Sequence, residues 1–264
     1  MSAHLHSVRH RFSAAAATYE SGAVIQARAA DRLGPLLPPP DQVDRILEAG
    51  CGTGLLTRRL VARYPQARLD ALDISGKMIE AARREVRAAC NISWHIADLL
   101  SFGSKGSYDL IASNCALHWI RPLENSFQKL RALLAPDGRL VFSIMLDGTL
   151  GELRESRLRV APSKPPLGRL PTRVEVQGGI ESAGCRITHW GEETLIEHHT
   201  SATAFLRHIH AMGLTGGLVS RSALPLNRGE LERLIVDYEQ HHSGKARGVK
   251  ASYVVGYVAA APID

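Results

Sequence analysis

The chain has 264 residues, a formal net charge of +6 and 45% hydrophobic residues, enough to bury a substantial core within one large domain. It carries no apolar run of the twenty or so residues a membrane helix needs, and its start, "MSAHLHSVRHRF", lacks the apolar stretch of a secretory signal, so a soluble cytoplasmic protein with no membrane partner is expected. Four cysteines, Cys51, Cys90, Cys115 and Cys185, form no C-x-x-C pair, which argues against a zinc ribbon or a disulfide framework and leaves free thiols.

In chain order, Ser7 to Leu37 predicts two helices broken near Ser21 and Gly22, the second with Val24, Ala27, Ala30 and Leu33 at helical spacing. Three prolines, Pro38 to Pro40, then stop the helix, so residues 1–40 read as a helical lid ahead of the main fold. After it the chain alternates. Strands are expected over Arg45 to Ala49, Arg68 to Leu72, Ser93 to Ile96, Tyr108 to Ser113 and Gly138 to Ile144, with helices over Leu55 to Arg63, Lys77 to Ala89 and Asn125 to Leu134. An "APDG" turn, Ala135 to Gly138, punctuates the last crossover. Short apolar strands joined by helices call for parallel pairing, hence an α/β fold built on a doubly wound, mostly parallel sheet.

Beyond Met145 the composition predicts a helix in "GTLGELRESRLRV", a proline-rich loop, a helix ending near Gly184, and an alternating strand in "CRITHWGEETLIEHHT". Two more helices, around Phe205 and Leu231, precede a last strand in "ASYVVGYVAAA", which brings the sheet to seven strands. No repeat or second domain boundary is visible. One domain therefore spans 1–264, with the lid at 1–40, a core at 41–146, and a helical insertion and final strands at 147–264.

The chemistry concentrates in "EAGCGTG". Gly50, Gly52 and Gly54 give G-x-G-x-G, one residue short of the dinucleotide fingerprint G-x-G-x-x-G. Glycines between a strand and a helix let a ligand approach main chain, and Glu48, two residues before the first glycine, suits an ammonium or sulfonium better than a phosphate. Asp73 ends the next strand, where a carboxylate can take two ribose hydroxyls. Asp98 follows the third strand, where it could accept from an adenine amino group or as easily cap a loop.

These residues in this order resemble the class I S-adenosylmethionine-dependent methyltransferases across Arg45 to Ile144. The resemblance implies S-adenosyl-L-methionine as cofactor. It implies Glu48, Gly50, Cys51, Gly52 and Gly54 at the methionine end, Asp73 on the ribose, Ile74 and Met78 beside the adenine, Asp98 and Leu99 on its edge, and Asn114 below the methionine. No N/D-P-P-Y/W motif of the amino-methylating kind is present, and His118 in "ALHWIRP" is the one candidate base near the methyl, equally readable as a structural histidine.

The flanks narrow the resemblance. The N-terminal element with Tyr19 and Gln26, "LDGTLGEL" after the fifth strand, "HAMGLTGG" and the late "ASYVVGYVAA" strand resemble the malonyl-acyl-carrier-protein O-methyltransferases of biotin synthesis. That family implies transfer to the free carboxylate of a malonyl thioester carried by acyl carrier protein, with malonyl-coenzyme A as a further acceptor to consider. A malonyl carboxylate needs a cationic or hydrogen-bonding pocket, which Arg121 just after "HW" and Tyr19 from the lid are placed to supply beside His118 and Trp119, while Gln26 goes with the cofactor. Arg154, Arg157, Arg159, Lys164, Arg169 and Arg173 form a basic cluster that either docks an acidic carrier or is merely solvated. A quinone-precursor or other small-acid methyltransferase, and a non-catalytic nucleoside-binding regulator, are the alternatives. Nucleic acid is not expected as a partner, since the basic residues are not interleaved with aromatics. The histidine pairs at 198/199, 208/210 and 241/242 are read as solvated, with no metal site, because neighbours one or two apart do not share a helix face and no acid or cysteine completes a ligand set at useful spacing.

Overall fold

The computed structural model describes residues 3–86, 91–103, 106–214, 224–243 and 248–263. Cys90, the expected end of the helix after Gly76, and the Thr215 to Gly217 part of "MGLTGG" lie outside the described residues. The N-terminal helices α1 (Ala3–Ala15), α2 (Tyr19–Gly22) and α3 (Val24–Leu33) precede β1 (Arg45–Ala49), α4 (Leu55–Arg63), β2 (Arg68–Asp73), α5 (Gly76–Glu85), β3 (Ile92–Ile96) and β4 (Tyr108–Asn114). Then follow α6 (Leu123–Leu133), β5 (Leu134–Met145), α7 (Gly151–Val160), α8 (Arg173–Ser182), β6 (Cys185–His199), α9 (Ala202–Ala211), α10 (Arg228–His242) and β7 (Val249–Pro262).

The seven strands lie in the order β3-β2-β1-β4-β5-β7-β6. The pairs among β1 to β5 are parallel and β7 runs antiparallel to both β5 and β6. The order reverses between β1 and β4, and ligands of open α/β sheets bind at that switch, beyond the strands' carboxyl ends. Side chains alternate across the sheet to build two cores. Ile46, Leu110, Val141 and Val255 face α3, α4 and α9, while Leu47, Ile111, Phe142 and Val258 face α6 and α8.

Helix starts are set locally. The Ser75 side chain caps α5 by accepting from Met78 N, and Thr172 and Asn227 form full capping boxes at α8 and α10.

Two expectations shift. The apolar face of α3 is Ile25, Ala29, Ala30 and Leu33, whereas Val24 is half exposed, because the helix docks through the face turned one residue from the anticipated one. Ala135 to Gly138 does not end a crossover before the strand. It loops out within β5, where pairing passes from Tyr108↔Leu134 to Leu110↔Arg139, and a Cβ on Gly138 would lie 2.8 Å from the Tyr108 carbonyl oxygen.

Candidate active site

The turn after β1 is built for backbone exposure. Gly50, Gly52 and Gly54 all have positive φ, at 79°, 53° and 91°. A Cβ on Gly50 would stand 2.4 Å from that of Ala116, while around Gly52 there is open space. Asp73, at the end of β2, locks this shape: its carboxylate accepts from Gly52 N at 2.9 Å and from Ser75 N at 2.8 Å. Burial pushes the Asp73 pKa up to about 6, partly offset by those backbone bonds.

Glu48 is only 1% exposed. One oxygen accepts from Thr57 Oγ1 at 2.6 Å and the other has no hydrogen-bond partner among the described residues. Burial raises this acid to about 8. A desolvated carboxyl with a spare oxygen is a site that a cation would complete.

Both acids line an open cleft, about 950 Å³ of empty space counting its mouth, together with Gly50, Cys51, Gly52, Ile74, Met78, Asp98, Leu99 and Asn114. Asp98 does two things there, because its Oδ1 also caps the short helical turn Leu99–Ser101 through Leu100 N at 3.1 Å. Asn114 is held by its own amide, donating to the Gln26 carbonyl at 3.0 Å and accepting from Ser143 Oγ at 2.7 Å.

The roof comes from the N-terminal helices. Phe12 packs edge-on to Tyr19 and Trp119, His4 Nε2 meets the Trp119 carbonyl at 3.0 Å, and Ser13 bonds Ser75 at 2.8 Å. Glu20 pins α2 to the glycine turn through Thr53 Oγ1 at 2.5 Å and through Arg58.

A second cavity, about 710 Å³ of empty space counting its open mouth, abuts the first and is lined by His4, His118, Met145, Thr149 and Tyr253 among others. Phe12, Tyr19, Gln26, Cys115 and Trp119 line both. His118 is 7% exposed and its Nδ1 has no partner among the described residues; burial first, then Arg121, push its pKa down to about 3. Sequence reasoning missed Phe12, Cys115, Thr149 and Tyr253, which come from elements up to 241 positions apart in the numbering and share no motif. The β7 strand that positions Tyr253 was visible, but not the side it presents.

Four expectations need correction. Arg121 lines neither cavity; it is exposed and donates to the Arg169 carbonyl at 3.0 Å. Gly54 does not line the first cavity either, but turns the chain into α4 with left-handed backbone against Val86 and Ala82. The basic cluster is largely committed within the chain: Arg159 pairs with Asp237, Lys164 with Glu230 and Arg169 with Glu175, Arg157 is 7% exposed, and Arg173 lies over the Trp190 ring. The histidines are not all solvated, for His242 packs on Tyr238 and His199 stands against His208 with Glu197 beside both. The expectation of free thiols agrees with Cys51, Cys115 and Cys185, which are unpaired.

The switch-point cleft, its glycine turn and its ordered acids define a methyltransferase of the Rossmann-like kind. Residues 46–138 match a family model described as "Methyltransferase domain". Solved structures agree on the fold. One, from Bacillus halodurans and described as a methyltransferase, aligns with a TM-score of 0.64 at 11% identity over 90% of this chain and all of that one. Another, magnesium protoporphyrin IX methyltransferase from Synechocystis with bound S-adenosylhomocysteine, aligns at 0.53 and 16% identity over 88% of this chain and 82% of that one.

Sequence relatives are more particular. The malonyl-[acyl-carrier protein] O-methyltransferase of Geobacter sulfurreducens is 31% identical over 95% of this chain and 96% of its own length. That of Hahella chejuensis is 33% identical over 94% and 88%. The chain belongs to the malonyl-[acyl-carrier protein] O-methyltransferase family.

Proposed function

We propose that the chain transfers the methyl of S-adenosylmethionine to the free carboxylate of a malonyl thioester on acyl carrier protein, giving a methyl ester. The observation that carries the reading is the pair of abutting cavities with a shared wall of Phe12, Tyr19, Gln26, Cys115 and Trp119, one suited to a methyl donor and the other to its acceptor.

The first cavity fits the cofactor. The unpartnered Glu48 oxygen would take the ammonium, Asp73 the ribose hydroxyls, and Asp98 with Leu99 the adenine edge, between Ile74 and Met78. Open space at Gly52 admits a ligand to main chain. When bound, S-adenosylmethionine supplies an electrophilic methyl carbon and a neutral thioether leaving group.

The acceptor needs no base. A malonyl carboxylate is ionised near neutrality, so an oxygen lone pair makes the new C–O bond as the C–S bond breaks, and no proton moves. The lining of the second cavity accords with this. His118 is held as a neutral imidazole, and burial keeps the Tyr19 hydroxyl protonated well beyond neutrality. Neutral donors can orient a carboxylate without the charge transfer that a proton would bring, and the apolar roof excludes water from the reacting oxygen. His118 and Tyr19 take the orienting role in place of Arg121, while the Thr149 hydroxyl is committed to the Val254 main chain.

The relatives' names support the carrier-bound acceptor. Malonyl-coenzyme A presents the same reacting group and is included as an acceptor. The unpaired thiols suit a reducing cytoplasm. An ester that masks the malonyl charge would serve as a primer for chain elongation toward the pimeloyl precursor of biotin. Expression in a biotin-requiring strain that lacks its own malonyl-carrier methyltransferase tests this. Growth without biotin is expected from the wild-type chain and not from Glu48→Ala; growth restored equally by both, or by neither, contradicts the reading.

A further inference from the structure

The β6–α9 corner holds a side-chain cluster that methyl transfer does not use. Glu197 and His199 are two apart on a strand and so share its inward face, alongside buried Leu195. After a short turn, α9 returns His208 to the same place, where its ring centroid lies 5.0 Å from that of His199. Helical spacing hides this set; strand spacing followed by a turn produces it.

Glu197 Oε2 lies 3.5 Å from His199 Nε2 and 3.5 Å from His208 Nε2. One ligating atom from each of the three residues falls within 4.8 Å of the other two. These separations are too long for good hydrogen bonds, which run at about 2.7–3.2 Å. Among the described residues, Glu197 Oε2 and His199 Nε2 have no hydrogen-bond partner, although the His199 side chain is only 9% exposed. The Tyr253 hydroxyl also hydrogen-bonds the Glu197 carboxylate. Buried polar atoms facing one another at this distance can share a ligand that comes between them.

We propose that Glu197, His199 and His208 form a binding site for a divalent cation of the zinc class. With metal–ligand bonds of about 2.0–2.1 Å, neighbouring ligands of a tetrahedral ion stand roughly 3.3–3.4 Å apart, close to the two separations found. Two imidazoles and one carboxylate suit zinc, or cobalt in its place, better than magnesium or calcium, which prefer all-oxygen sets. His208, 21% exposed, forms the open side, where water would be the fourth ligand. The ion would sit between the break in the N-terminal helices, where a Cβ on Gly22 would lie 3.0 Å from His208 Cε1, and Tyr253 in the wall of the second cavity.

The test uses the untagged full chain, treated with chelator and titrated with cobalt(II) and then zinc(II), and it reads no methyl transfer, so its failure leaves the proposed function untouched. The wild type should develop the visible absorption of a four- or five-coordinate cobalt site, saturating at one equivalent per chain and bleached by zinc. Zinc should also raise its thermal midpoint. His208→Ala and Glu197→Gln should each weaken zinc binding by at least about tenfold, while exposed His241→Ala leaves it unchanged. Should a variant fail to fold by circular dichroism, the wild-type cobalt spectrum decides alone. No saturable spectrum in the wild type, or folded Glu197 and His208 variants that bind like wild type, would overturn the site.

Discussion

Glu48 is a carboxyl group forced into the interior with half of its hydrogen-bonding capacity unused, and its titration follows from that. Its folded-state value of about 8 lies above the ordinary 4.5, so its protonated form stabilises the free protein fully below about pH 4.5. That contribution is lost as pH rises through about 8. An incoming ammonium reverses the preference by stabilising the carboxylate. Cofactor binding near pH 7 should therefore release a proton, and affinity should rise with pH until it levels off above about 8. Calorimetry in buffers of different ionisation enthalpy reads the proton directly. Glu48→Gln should abolish the release and weaken S-adenosylhomocysteine binding on the order of 10- to 100-fold, the worth of a charge-assisted hydrogen bond.

Arg121 makes the opposite case. Exposed, and directed at the Arg169 carbonyl, it lies outside both cavities, so Arg121→Ala should change kcat less than about twofold in a steady-state assay. The sequence placed it correctly beside "HW" but could not say which way a side chain after a short helical turn would point. Glu48 and Asp73 were legible because strand ends fix both position and direction.

At the scale of elements, the glycine turn and the N-terminal helices act together. Gly50→Ala meets two penalties, a left-handed φ of 79° and a Cβ 2.4 Å from that of Ala116. It should cost about 2 kcal/mol or more in urea denaturation. The pinning of α2 by Glu20 to Thr53 and Arg58 is a separate device on the solvent side of the turn. Glu20→Ala should leave global stability nearly unchanged while raising the KM for cofactor about fivefold, with faster amide exchange over 16–23.

The strands and crossover helices of the core were readable from short apolar runs and helical periodicity, because each buries two faces or one stripe. The bulge at Ala135 to Gly138 was not, since a P-D-G sequence serves an outward loop within a strand as well as a turn before one. The acid and histidines at the β6–α9 corner escaped notice for a related reason. Residues 197 and 199 were expected on one strand, but no local pattern tells that α9 folds back to set His208 beside them.

At the scale of the whole molecule, the sheet's switch point brings together what the sequence scatters. Much of the lining of the first cavity was legible as a motif because β1, β2 and β3 deliver those residues in order. The acceptor side takes His4 from α1, His118 after β4, Thr149 after β5 and Tyr253 from β7, and only folding makes them neighbours. That is why the family resemblance, and not local chemistry, pointed to the acceptor. The account requires that the two cavities serve one displacement at their shared wall. Its most direct test is transfer of labelled methyl from S-adenosylmethionine to malonyl-carrier protein, followed by mild base. The account predicts label on the malonyl group, released by base as methanol, at a rate far above that with free malonate or an aromatic carboxylic acid. Label that resists base, or that goes to small acids but not to the malonyl thioester, would contradict it.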